Sequence, residues 1–128
     1  MKDLGRISEH QLGILNVLWA CVEATAREVH EALEPVTGHA RKTTGTLLHR
    51  LEKQGVITHR EEGREFVYRA RVTREEVQEA TVRGVLGQLF HGELPSLVSH
   101  ALSAGEVGVE DLERIRDLID EYERGGSR

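Results

Sequence analysis

RKTTGTLLHRLEKQGVITHREEGREFVYRAR, residues 41–71, decides the fold. On a 3.6-residue wheel Thr44, Leu47, Leu48 and Leu51 share one side of its first half. Lys42, Thr43, Thr46, His49, Arg50 and Lys53 point elsewhere, mostly to the opposite side. One face is core and the other is hydrogen-bond donors. Gly55 stands where a helix ends in a left-handed residue. Two runs rich in β-branched and aromatic residues follow, Val56–Arg60 and Glu65–Arg69, joined by Glu61, Glu62, Gly63 and Arg64. The stretch reads as a basic helix followed by a β-hairpin, with cations on both.

Such a helix fits the major groove of DNA, where Lys, Arg and Thr side chains reach phosphates or base edges. An arginine at the hairpin tip reaches the neighbouring backbone or minor groove. The predicted class is mainly α with a small β-hairpin wing: a winged helix-turn-helix DNA-binding domain over residues 1–72 and a helical dimerisation domain over residues 73–128.

The whole chain, 128 residues with a net charge of −5, argues against nucleic acid if taken as a total. Its distribution argues the other way. Residues 1–38 carry −3, residues 39–71 carry +4 and residues 72–128 carry −6. Phosphates respond to charge within a Debye length of roughly 10 Å, so the local excess counts. The longest mainly apolar run, Leu12 to Val22, is interrupted by Gly13 and Asn16 and is far short of a membrane span. No cationic segment leads into an apolar stretch, so no signal peptide or membrane insertion is expected. The one cysteine, Cys21, makes no internal disulfide and reads as a small core residue in a reducing, cytoplasmic setting.

Upstream, Ser8 and Gln11 form a capping-box pattern. The helix they open is expected to bury Leu12, Leu15, Leu18, Trp19 and Val22. Thr25 caps a short second helix, Ala26 to Leu33, which packs through Ala26, Val29 and Leu33 and ends at Pro35 and Gly38. Helix, short helix, turn and helix is the arrangement that lays a third helix across the groove. Gly45 inside that helix costs roughly 1 kcal/mol relative to Ala. It is either a point of close backbone approach or a tolerated flaw.

Downstream, Thr73 and Glu76 form a second capping box for a helix from about Arg74 to Phe90. A short helix over Leu94–Leu102 and a last one over Val109–Tyr122 follow, and Gly125 to Arg128 reads as a frayed tail. Their apolar side chains, Val85, Leu89, Phe90, Leu112, Ile115, Leu118 and Ile119, need a partner, and a second copy of the chain is the simplest. A two-fold dimer sets two recognition helices about 34–36 Å apart and demands an inverted-repeat site.

Catalytic patterns are missing. The chain has no glycine-rich phosphate loop, serine elbow or paired metal-ligand motif, so neither enzyme activity nor a cofactor is expected. His30 with Glu34, and His91 and Glu93 near His100, are the best metal-like groupings, and both read as structural or exposed residues.

Ile7-Ser8-Glu9 leading to VLWA, then TAREVHEAL, then the K-T-x-x-T-L-L-x-R-L-x-K-x-G run joined to E-G-R-x-F-x-Y, resemble the penicillinase and methicillin-resistance repressors, the BlaI/MecI family with its copper-responsive CopY branch. The resemblance covers about residues 6–123. It implies a winged-helix domain, a helical dimerisation domain, and repression through dyad operators with TACA/TGTA-type half-sites. By position, Lys42, Thr43, Thr46 and Arg50 match recognition-helix residues that meet DNA, and Arg64 matches the wing-tip arginine. With Arg41 they make up the expected contacts.

Four departures stand out. Ala40 takes the place of a Ser or Thr cap, and Gly45 replaces a longer polar side chain. His100 and Ala101 stand nearest to the Asn-Phe bond that a membrane-sensor protease system cuts in β-lactam-responsive members. A chain whose one cysteine is Cys21 does not copy the CopY cysteine cluster. Two other readings stay open beside the repressor: a winged-helix module that binds protein, and a small-molecule-sensing regulator.

Overall fold

In the computed structural model, which describes residues 2–5 and 7–126, Ser8 opens helix α1 (Glu9–Cys21). Its Oγ accepts the Gln11 N–H at 3.1 Å, and its own N–H donates to Gln11 Oε1 at 3.0 Å. This reciprocal box satisfies two donors left over at the helix start. A two-residue strand, β1 (Ala24–Thr25), leads into α2 (Ala26–Thr37) and then α3 (Arg41–Lys53). The hairpin is β2 (Ile57–Glu62) and β3 (Glu65–Ala70), followed by α4 (Arg74–Leu89), α5 (Leu94–Ala104) and α6 (Val109–Arg124). The mainly helical class with a small β wing is the one expected.

The sheet has three antiparallel strands in the order β1-β3-β2. Ala24 pairs with Tyr68 and Thr25 with Val67 on one side of β3, while Ile57 through Glu62 pair with Ala70 through Glu65 on the other. β1 lies in a segment read from the sequence only as a helix cap. Two residues carry no period of their own, and they become a strand by pairing with distant β3.

Ile14, Leu15 and Leu18 of α1 meet Val29 of α2, Leu48 and Leu51 of α3, and Val56, Ile57 and Tyr68 of the hairpin in one core. Val72 and Val77 close it. The core face of α1 is therefore Gln11, Ile14, Leu15 and Leu18, not the expected stripe through Leu12 and Val22. Leu12 is 37% exposed, and Val22, at φ 72°, is the exposed residue that ends the helix. α1 is apolar on more than one side, so spacing alone did not choose the buried face. Cys21, expected in the core, is exposed for the same reason. Buried Gln11 is satisfied by donating Nε2 to Gln54 Oε1 at 2.8 Å.

α2 runs through Pro35 to Thr37 instead of stopping before it. Gly38, at φ 69°, ends the helix, its N–H reaching the Glu34 carbonyl at 2.8 Å. Proline in a last turn removes one backbone bond but leaves the glycine cap intact.

The chain divides into two compact units, Met1–Gly84 and Val85–Arg128, with the division inside α4. Residue 72, the boundary drawn from the sequence, ends the wing, and Val77 beyond it is still part of the first unit's core. Of the expected tail, Ser127 and Arg128 lie outside the described residues.

In the second unit α5 and α6 bury no residue. Leu89, Leu94, Leu118, Ile119 and Tyr122 are each more than half exposed. No helix among the described residues is long and apolar enough to cross a membrane.

Candidate nucleic-acid interface

Thr25 sets the first of the two helices that carry the site. Its Oγ1 accepts the Glu28 N–H at 3.1 Å and its N–H donates to Glu28 Oε1 at 2.8 Å, fixing the start of α2. The turn between α2 and α3 is tied by Thr37, whose hydroxyl donates to the Leu33 carbonyl at 3.1 Å and accepts the His39 N–H at 3.1 Å. α3 then begins at Arg41 without a side-chain cap, because Ala40 has no hydroxyl to offer. The first N–H groups of α3 thus have no side-chain acceptor.

Thr44, Leu48 and Leu51 anchor α3 in the core. That turns Arg41, Lys42, Thr43, Thr46, His49, Arg50 and Lys53 outward, all exposed. Thr46 donates its hydroxyl back to the Lys42 carbonyl at 3.1 Å, which leaves its lone pairs and methyl group facing out. A Cβ built on Gly45 meets nothing within 4 Å, so packing inside the chain does not require glycine there.

The wing turns tightly. Glu62 pairs with Glu65, leaving Gly63 and Arg64 as a two-residue loop. Gly63, at φ 65°, supplies the left-handed residue that such a turn needs, and Arg64 is held exposed at the tip. Arg41 and Arg64, distant in sequence, line one cleft of about 350 Å³ with Arg27, Phe66 and Tyr68. Arg27 was not among the expected site residues. Its position just after the Thr25 cap was the available signal.

The cations fall into two sets. Among the described residues, Arg41, Lys42, Arg50 and Arg64 have no carboxylate within ion-pair distance. Arg27 lies 3.7 Å from Glu31 and 3.6 Å from Glu65, and Arg60 lies 2.5 Å from Glu23 and 2.6 Å from Glu62. The bonds to Glu62 and then Glu23 push the Arg60 guanidinium further up from its already high range. Arg41, Lys42, Arg50 and Arg64 thus leave uncompensated charge on the outer face of α3 and at the wing tip.

His59 links α3 to the wing. Its Nδ1 lies 2.6 Å from Glu52 Oε2 and its ring stacks on Phe66 at 3.9 Å between centroids. Beside it, burial first and Glu52 second push the Tyr68 hydroxyl up from its ordinary range. His59→Ala should cost about 1–2 kcal/mol, from one ring contact and one hydrogen bond. Urea unfolding of the variant checks this, and an unchanged midpoint would show the link to be idle.

In the second unit, Ile115, Leu118 and Ile119 come together with Tyr122 along an apolar cleft on α6 of about 400 Å³. Val85 and Leu89 are exposed on α4, Leu112 is half-buried, and Phe90 packs edge-on against His100 at 5.5 Å. His100 and Ala101 are exposed within α5. Among the described residues no group of three or more His, Cys, Asp or Glu is placed to hold a metal. His30 and Glu34 stand 3.9 Å apart as a lone pair.

A three-helix unit closed by a wing, with free cations on its third helix and at the wing tip, defines a winged helix-turn-helix regulator. The chain belongs to the penicillinase repressor family, whose profile matches residues 7–121. It is 28% identical over 122 residues to the penicillinase repressor of Bacillus licheniformis, covering 95% of both chains. To the methicillin resistance regulatory protein MecI of Staphylococcus aureus it is 23% identical over 114 residues, covering 89% of this chain and 93% of that one. Among solved structures, the Bacillus licheniformis repressor BlaI, as a monomeric form in complex with the blaP half-operator, matches 59% of this chain and 93% of its own. The match has 33% identity and a TM-score of 0.51.

Proposed function

We propose that this chain is a homodimeric transcriptional repressor that binds an inverted-repeat operator in double-stranded DNA. The cations Arg41, Lys42, Arg50 and Arg64 carry the reading, since they gather on the outer face of α3 and at the wing tip with no carboxylate among the described residues within ion-pair distance. Related BlaI in complex with a half-operator supports it. Lys42 and Arg50 meet phosphates or guanine edges, Thr43 and Thr46 contact bases through oxygen or methyl, and Arg64 holds the flanking backbone. Gly45, with open space beside it, lets the backbone of α3 approach the groove closely.

The dimer forms through the second unit, whose α5 and α6 have no buried residue in a single chain. Release by a membrane-sensor protease system would act on α5 near His100 and Ala101. Both lie in regular helix, so α5 must open locally before it is cut.

The test is a titration of a duplex from the region upstream of its own gene, against a scrambled duplex, across a salt series. Selective binding whose log affinity falls linearly with log salt is expected. Lys42→Ala should flatten that slope by about one if Lys42 meets a phosphate, and should cost about 1–3 kcal/mol on operator alone if it meets a base. Weak binding to both duplexes even at low salt, with salt-insensitive binding to a protein partner instead, would replace DNA recognition by protein recognition.

A further inference from the structure

Trp19, Arg74 and Val77 line a second cleft, of about 340 Å³, that the operator reading does not use. It lies between α1 and the first turns of α4, wholly within the first unit, with Leu12, Asn16, Gln78, Thr81 and Val82 completing its wall. Its volume is at the lower end of the about 300–1,000 Å³ typical of small-molecule sites. Leu12 and Val82 are 37% and 54% exposed, so the apolar wall is open to solvent in the single chain.

The polar groups of the cleft are held in fixed positions. Trp19 has its Nε1 tied to the Val72 carbonyl at 2.9 Å, which fixes the ring. The Arg74 guanidinium lies over that ring, 4.7 Å from its centroid, and donates to Asn16 Oδ1 at 3.0 Å. Among the described residues Arg74 has no carboxylate within ion-pair distance. A cation held in place over an aromatic face, beside an apolar wall and without a counter-ion, is complementary to a molecule with an apolar body and one carboxylate. A second protein copy covering the cleft with apolar side chains would strip water from the guanidinium and give nothing in return.

We infer that this cleft binds a small aromatic carboxylate, its ring against Leu12, Val77 and Val82 and its carboxylate on Arg74. The inference is independent of DNA recognition, because binding is read in the absence of DNA. Trp19, the one tryptophan of the chain, reports the cleft directly.

The experiment titrates the full chain with 3-phenylpropionate and, separately, with 3-phenylpropan-1-ol, following Trp19 fluorescence. Saturable binding of the acid is expected, with the alcohol at least about tenfold weaker. Arg74→Gln, and Val82→Glu at the exposed rim, should each weaken the acid by about tenfold or more while thermal unfolding confirms that both variants are folded. Equal binding of acid and alcohol, no saturable signal, or an acid affinity unmoved by either variant would overturn the proposal. So would a concentration-dependent self-association in sedimentation that Val82→Glu abolishes, which would assign the cleft to a second copy.

Discussion

Leu118→Asp is expected to abolish tight operator binding while leaving the DNA-binding unit folded. Leu118 is 52% exposed in the single chain, so a carboxylate there disturbs no intramolecular core. In a dimer built on the cleft formed by Ile115, Leu118, Ile119 and Tyr122, the same carboxylate would be buried without a partner, a severe penalty. Two linked half-site contacts outbind one by about 10²–10⁴-fold, and the variant should lose that factor. Sedimentation should show a monomer, and titration should show equal, weak affinity for an operator and for a half-site duplex. A variant that stays dimeric would move the interface away from this face of α6.

Leu48→Ala should have the largest effect on stability. Leu48 is fully buried from α3 in a core shared with α1, α2 and the hairpin. Large-to-small truncation at such a site costs about 2–5 kcal/mol, a large part of the about 5–15 kcal/mol that holds a domain. Urea unfolding followed by Trp19 fluorescence measures it. On the opposite side of the same helix, Thr46→Ala should stay within about 0.5 kcal/mol of the parent. Comparable losses in both variants would mean that α3 is rotated from the orientation described, and the DNA-facing residues with it.

The two variants mark how far α3 is legible in the sequence alone. Its apolar residues recur on one side only, Gly55 ends it and Gly63 turns the wing, so spacing and turn chemistry agreed on one answer. Thr44, Leu48 and Leu51 are buried as the wheel implies, and Leu47 is half-buried at the border. α1 offered no such agreement. With Leu12, Ile14, Leu15, Val17, Leu18 and Trp19 spread round the helix, two faces satisfied the period. Packing against α2, α3 and the hairpin selected the face that carries Gln11 and Ile14. Cys21 and Val22 were misplaced by the same ambiguity.

The site divides along the same line. Local order in the chain determined the basic helix, the hairpin, the caps at Ser8, Thr25 and Thr73 and the family resemblance, because each depends on residues a few positions apart. Tertiary structure decided what no local pattern contains. It made a strand of Ala24 and Thr25 by pairing them with β3, brought Arg41 and Arg64 to one cleft, and set Arg74 over Trp19. It also sorted the arginines into those neutralised by distant carboxylates and those left free. Charge compensation depends on distance in space, and only folding sets that distance.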